Sequence, residues 1–202
     1  ADTRRGRPSV HRAFGAPLAV LTGDALIVLA FQAIAWGAAG SPSRLMPLVL
    51  NLAAATGMPF GIAAGQAWES EPAIDMGQYQ RAKTGALFAA ATILGAAAAG
   101  GDAASWRELG EGLGEAYQVA DDIADVLSGK DELGKPTGQD AALGRPNAAL
   151  ALGVDGAMRH LTRLAEAAAA SIPDCPGAPA LKALTLSEAR RLLPKDVAQH
   201  AA

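Results

Sequence analysis

The sequence predicts an all-α protein, and two observations support this. Half of the 202 residues are hydrophobic but only 4% are aromatic, so the core has to be built mainly from small aliphatic side chains, which suit closely packed helices. No segment shows the alternation of apolar and polar residues that is typical of a half-buried strand. The length suits a single domain over residues 1–202.

Helical segments are predicted between stretches rich in glycine and proline. Residues 1–15 are expected to form a basic loop and a short helical turn. The first long helix then runs from about Pro17 to Trp36. Further helices are predicted near 44–68 with a bend at 57–59, and near 74–99, 103–127, 147–170 and 178–193.

Three long uncharged runs, 25–43, 45–68 and 84–101, raise the question of a membrane span. They contain prolines, amides and many small residues, so their hydrophobicity is low for helices that face lipid, and we expect them to lie buried in the core without stable membrane insertion. The net charge of −3 gives no general reason to expect nucleic acid or an acidic membrane as partner. The single cysteine, Cys175, and the absence of a visible signal peptide are compatible with a reducing cytoplasm.

An acidic motif lies in the apolar C-terminal part of the helix predicted near 103–127. Asp121, Asp122 and Asp125 share one side of a helix with Gln118, at about 100° per residue. Like charges one turn apart cost roughly 0.2–0.5 kcal/mol per pair, and no lysine or arginine lies three or four residues away. Clustered carboxylates suit Mg²⁺ shared with substrate phosphates. The alternative is a solvated acidic stripe, which would not need so many apolar neighbours.

Three places hold cations that could bind a phosphate group. Arg4 and Arg5 belong to a basic cluster suited to phosphate recognition, although the cluster is also compatible with a disordered basic end or, as a different class, a DNA minor-groove arm. Lys83, followed by Thr84, is either a surface lysine or a group that faces a cavity. Lys135 and Arg145 lie in a loop spaced by glycines, which suits either a diphosphate or solvent.

Taken together, the ordered motifs resemble those of the trans-isoprenyl diphosphate synthases. The resemblance covers nearly the whole chain, and the ordered set is far more specific than its acidic motif alone. The segments that carry it are Arg4-Arg5-Gly6-Arg7-Pro8, Gly23-Asp24-Ala25-Leu26, Gly65-Gln66, Lys83-Thr84-Gly85-Ala86-Leu87, Gln118-Val119-Ala120-Asp121-Asp122-Ile123-Ala124-Asp125 and Leu133-Gly134-Lys135-Pro136.

The resemblance implies an isoprenoid-synthase helical bundle around a central cavity, and a role for each matching residue. The three aspartates would bind Mg²⁺ that bridges the allylic diphosphate. The residues implied at the substrates are Arg4 for the allylic diphosphate, Arg5 for isopentenyl diphosphate, Lys83 and Lys135 for the leaving diphosphate, Thr84 and Gln118 for the allylic cation, and Arg145, where a lysine is usual.

Two further departures from the family pattern concern the metal site and its surroundings. The first aspartate-rich motif of the family would precede the Arg-Arg-Gly segment, and Asp2 is too close to Arg4 to replace it. We therefore expect this chain to lack the N-terminal helices of a longer protein, and with them the residues that set product length. Glu69 stands where an aspartate is usual, which preserves the charge.

The expected function is that of a cytoplasmic, homodimeric, Mg²⁺-dependent prenyltransferase. It would condense isopentenyl diphosphate with C5–C15 allylic diphosphates to geranylgeranyl diphosphate, as in carotenoid biosynthesis. Farnesyl diphosphate synthase is the alternative within the family. A non-catalytic partner subunit of a prenyl synthase is the alternative of another class.

Overall fold

The computed structural model describes residues 2–4, 6–127 and 147–192. Its helical content within these ranges confirms the all-α prediction. The described strands are two residues long each, β1 (Thr3–Arg4) and β2 (Arg7–Pro8), and they pair antiparallel. Three predicted site residues, Arg5, Lys135 and Arg145, lie outside the described residues.

The helices of the described ranges are numbered in chain order. They are α1 (Val10–Phe14), α2 (Ala16–Gly37), α3 (Pro42–Thr56), α4 (Ile62–Trp68), α5 (Met76–Gln80), a π-helical turn (Arg81–Gly85), α6 (Ala86–Ala99), a 3₁₀ turn (Ala104–Trp106), α7 (Arg107–Leu127), α8 (Ala148–Ala170), and α9 (Ala178–Arg191). Most predicted ends agree with these within a few residues. The segment predicted at 44–68 is two separate helices, α3 and α4, because the chain leaves helical geometry at Gly57.

Helix α7 is the centre of the bundle and packs between α6 and α8. Its apolar side meets α8 in a buried cluster in which Ile123 is completely inaccessible to solvent. Helix α6 approaches on another side so closely that a β-carbon on Gly110 would lie 2.5 Å from the Cα atom of Ala89. Because no larger residue fits there, glycine sets the distance between these two helices.

Helix α2 differs from the other long helices because none of its residues is buried. Leu18 is 53% exposed and Trp36 is 73% exposed. The prediction that the first long apolar run lies in the core is therefore wrong for this chain. Ile34, near the end of the helix, packs against a buried cluster, but most of the other α2 residues are exposed in the described structure.

Two helical stretches are long and apolar enough to cross a membrane by length and composition, Ala16–Gly37 and Met76–Ala99. The second contributes buried residues of the bundle, such as Ile93. Length and composition also fit core helices and subunit interfaces, so this finding alone assigns no membrane span.

Candidate active site

Lys83 and Thr84 lie on the π-helical turn between α5 and α6. A π-turn adds one residue to a helical turn and is frequent at functional sites. The turn therefore interrupts what the sequence predicts as one regular helix, at the pair of residues that the family resemblance places at the substrate. The Lys83 side chain is 33% exposed, so it is held by neighbours and is still accessible.

Three polar side chains from two other helical segments form a network with Lys83. Its ammonium group donates to Glu69 Oε1, and also to the Tyr79 hydroxyl at 2.6 Å. The Tyr79 hydroxyl donates in turn to Glu69 Oε1 at 2.5 Å. Gln66 donates to the second oxygen of the Glu69 carboxylate. The carboxylate, the ammonium and the phenol thus form a closed triangle.

Helix α4 brings Glu69 to the lysine through a direct backbone contact. A β-carbon on Gly65 would lie 2.5 Å from the backbone nitrogen of Lys83 and 2.8 Å from its Cα atom. Real β-carbons do not approach so closely, so only glycine allows α4 to lie against the π-turn. Gln66 and Glu69 follow within the next turn. The close approach at Gly65 therefore places both of these side chains beside Lys83.

The network shifts the pKa values of its three titratable members. Burial raises the pKa of Glu69, but hydrogen bonds from Lys83 and Tyr79 outweigh it and leave this pKa below 4.5. Burial lowers the pKa of Lys83, but the bonds to Glu69 and Tyr79 raise it above 10.5. Burial and the bond to Glu69 raise the pKa of Tyr79. At neutral pH the network is a charged pair bridged by a protonated phenol.

The carboxylates of α7 divide into two kinds of environment. Asp121 and Asp125 are half-buried, whereas Asp122 is only 4% exposed. Asp122 accepts hydrogen bonds from the Gln118 side chain at 3.0 Å and from the backbone nitrogen of Ala148 at 2.8 Å. It therefore supplies a hydrogen-bond acceptor to an N–H group at the start of α8 that has no acceptor within its own helix. The predicted three-carboxylate face thus includes one member that binds a neighbouring helix.

No group of three acidic, histidine or cysteine side chains within the described ranges is arranged to hold a metal ion by itself. Mg²⁺ does not require such a group, because it is usually held by one or two carboxylates together with waters and substrate phosphates. Asp121 and Asp125, one helical turn apart and both half-buried, fit that smaller donor set.

A cavity of about 980 Å³ reaches Gln118 and Asp122 from between the helices. Small and apolar side chains of α3 and α6 form much of its wall, including Ala55, Ala89 and Ile93. Its volume is within the range of small-molecule sites, roughly 300–1,000 Å³. Because the sequence has few large side chains, the helices leave this cavity between them unfilled.

Arg4 lies on β1, directly across the pair from Arg7. Both residues are exposed. Like charges opposite each other destabilise a strand pair, so an anion that contacts both guanidinium groups would stabilise this end of the chain. Arg12 pairs with Asp2 at 3.3 Å on the same surface.

Tyr79 and Asn147 are two site residues that were not predicted from the sequence. Tyr79 lies four residues before Lys83, a spacing that places the two side chains on the same face of a helix. Asn147 accepts from the backbone nitrogen of Leu150 at 3.0 Å, so it caps α8 beside Asp122. A polar residue before an apolar helical run is a recognisable capping signal.

A helical bundle in which a carboxylate-bearing helix packs beside a lysine-bearing π-turn has the fold of the isoprenyl diphosphate synthases. A crystal structure of a synthase from Zymomonas mobilis, described as an FPP/GFPP synthase, matches with a TM-score of 0.75 at 28% identity, and covers 96% of this chain and 67% of that one. A geranyltransferase from Helicobacter pylori, complexed with magnesium and isoprenyl diphosphate, matches with a TM-score of 0.74 at 28% identity, covering 95% and 65%.

The chain belongs to the polyprenyl synthetase family, whose sequence model matches residues 1–174. It is 52% identical over 198 residues to a geranylgeranyl diphosphate synthase of Cereibacter sphaeroides. It is 50% identical over 177 residues to the enzyme of the same name from Rhodobacter capsulatus. These matches cover 98% and 88% of this chain but only 69% and 61% of the relatives. The family predicted from the ordered motifs is therefore confirmed.

Proposed function

We propose that the protein is a prenyltransferase that condenses isopentenyl diphosphate with allylic diphosphates to geranylgeranyl diphosphate. The identity to relatives of that name supports this product. The observation that carries the proposal is the contact between the two functional elements, since a β-carbon on Gly114 would lie 3.0 Å from the Cα atom of Gly85. The helix of Asp121 and the turn of Lys83 are thus packed directly together, as a shared diphosphate requires.

The residues of α7 fit a magnesium ion. Asp121 and Asp125 are the carboxylates proposed to ligate it, and Asp122 adds negative charge while its oxygens bind Gln118 and Ala148. When bound, Mg²⁺ neutralises diphosphate charge as a Lewis acid. Arg4, Arg5, Lys135 and Arg145 are proposed to bind the diphosphates of the two substrates, because they match the family motifs.

The proposed chemistry begins with cleavage of the allylic C–O bond, whose electron pair leaves with the diphosphate. Lys83 stabilises that charge, because a fixed ammonium group needs no reorganisation as the bond breaks. Gln118 and Thr84 lie beside the allylic cation and orient it. The isopentenyl double bond attacks to form the 1'-4 bond, and a proton of the isopentenyl unit passes to the departing diphosphate. The apolar part of the cavity wall, which includes Ala89 and Ile93, is proposed to limit the access of water to the cation.

The cavity beside Gln118 is proposed to hold the growing hydrocarbon chain. The alanines and Ile93 of α3 and α6 give this cavity an apolar section of wall, and burial of a prenyl tail against apolar surface is worth roughly 25 cal/mol per Å².

The protein is proposed to act as a cytoplasmic homodimer in which a second copy covers α2. This helix is apolar around most of its circumference and exposed along its length. Monomeric soluble proteins rarely expose so large an apolar patch. The isoprenoid product would enter pathways such as carotenoid synthesis.

The experiment is product identification. Full-length protein is supplied with Mg²⁺, isopentenyl diphosphate and a C5, C10 or C15 allylic diphosphate, and the products are identified by mass spectrometry. A C20 product supports the proposal, and termination at C15 assigns farnesyl diphosphate synthase instead. No prenyl transfer by the purified protein alone would favour a non-catalytic partner subunit.

A further inference from the structure

Tyr79 is a buried residue whose polar group contacts the proposed diphosphate-binding lysine. It is 6% exposed, and its hydroxyl lies 2.6 Å from Lys83 Nζ and 2.5 Å from Glu69 Oε1. The ammonium group also lies 5.0 Å from the centre of the tyrosine ring. The phenol therefore contacts both members of the ion pair at once.

A lysine without such contacts stabilises a nearby negative charge less well, because its ammonium group is not held in place. Its four-carbon stem samples many rotamers, and fixing it costs up to about 2 kcal/mol in entropy. Here Glu69 and Tyr79 fix the ammonium group from two different elements, the end of α4 and the last turn of α5. The cost of ordering is met in the folded protein, before any substrate binds.

An ammonium group has three N–H donors. Within the described residues Glu69 and Tyr79 accept two of them, and the third is the one we assign to a ligand. Because Tyr79 also donates to the same oxygen of Glu69 that accepts from Lys83, it limits how far the carboxylate can neutralise the lysine. The phenol thus holds the pair together and shares the carboxylate charge.

We infer that Tyr79 is a positioning residue for substrate binding, which holds Lys83 so that its remaining N–H donor meets the diphosphate. The inference rests on the proposed role of Lys83 in the prenyl transfer. Tyr79 does not contact the reacting atoms in this account and acts only through Lys83 and Glu69.

The test is a double-mutant cycle with inorganic pyrophosphate as the probe. Full-length wild type, Tyr79→Phe, Lys83→Gln and the double variant are titrated with pyrophosphate in Mg²⁺ buffer by calorimetry. We expect Tyr79→Phe to weaken binding about tenfold, since it removes one hydrogen bond to each of two charged groups. In the Lys83→Gln background the same change should cost less than twofold.

A merely structural role would give a different pattern, because Tyr79→Phe would then cost the same factor in both backgrounds. That result would overturn the inference. Wild-type affinity in Tyr79→Phe would overturn it too, as would the absence of pyrophosphate binding by the wild type. Thr162→Val is the control, since it also removes one hydroxyl but lies on α8, where that hydroxyl donates to the carbonyl of Met158 in the same helix. If the four proteins give the expected cycle but the wild type forms no prenyl product, the proposed function is refuted and the role of Tyr79 in pyrophosphate binding is kept.

Discussion

Replacing Asp122 tests whether this carboxylate holds two helices together independently of any metal. Its oxygens accept from the Gln118 amide at 3.0 Å and from the backbone nitrogen of Ala148 at 2.8 Å, and the residue is 4% exposed. Asp122→Ala leaves the N–H group of Ala148 without this partner at the start of α8. We therefore expect the variant to be less stable than wild type even when no metal is present.

The magnitude follows from the bonds that are lost. A hydrogen bond to a charged group contributes roughly 1.5–3 kcal/mol, and a neutral one about 1 kcal/mol. Gln118 can turn to other partners, so Asp122→Ala is expected to cost about 3 kcal/mol. Asp122→Asn should cost only about 1 kcal/mol, because its amide oxygen can still accept from Ala148 and its NH₂ group can donate to a reoriented Gln118.

Thermal unfolding of the full-length protein, followed by circular dichroism in EDTA and again in Mg²⁺, measures these costs. For a protein of this size 1 kcal/mol shifts Tm by roughly 2–4 °C, so Asp122→Ala should unfold roughly 6–12 °C below wild type in EDTA. If Asp122 acted only as a metal ligand, both variants would match wild type in EDTA and differ only in Mg²⁺. Equal Tm values in EDTA would therefore refute the reasoning.

Four further predictions address the remaining elements. Lys83→Ala and Asp121→Ala should each lower turnover at saturating Mg²⁺ at least tenfold, because the first removes the ammonium group proposed to stabilise the leaving diphosphate and the second removes a proposed ligand of the Mg²⁺ that would neutralise it; near-wild-type rates contradict the site. Gly65→Ala should strongly reduce both Tm and turnover, since its β-carbon meets the backbone of Lys83 at 2.5 Å; wild-type values would show that α4 does not pack as described. The Glu69 carboxylate has a lowered pKa in the folded state, so its stabilisation is present above pH 4.5 and is lost as pH falls through the folded-state pKa. The Tm difference between wild type and Glu69→Gln should therefore shrink in acid, and a difference that grows in acid excludes the pairing. Val28 lies in α2 and is 57% exposed. If a second copy covers α2, Val28→Asp should shift the mass measured by light scattering toward that of the monomer, whereas an unchanged dimer places the interface elsewhere.

The apolar pattern of the sequence predicted most of the helices, because each one buries a face and is bounded by glycine, proline or a capping residue. It also singled out the aspartates of α7, since carboxylates inside an apolar run require partners, whereas it left Lys83 open between a surface position and a cavity. The family follows from the order of these motifs, and the comparisons confirm it.

The local pattern did not predict the partners of those charges. Lys83 meets Glu69 across 14 residues, and Asp122 meets Ala148 across 26; both contacts depend on how closely particular helices pack. The burial predicted for α2 failed for a related reason. A run of apolar residues indicates that a helix surface has to be covered, because water solvates apolar surface poorly. Only the tertiary and quaternary arrangement decides which element covers that surface.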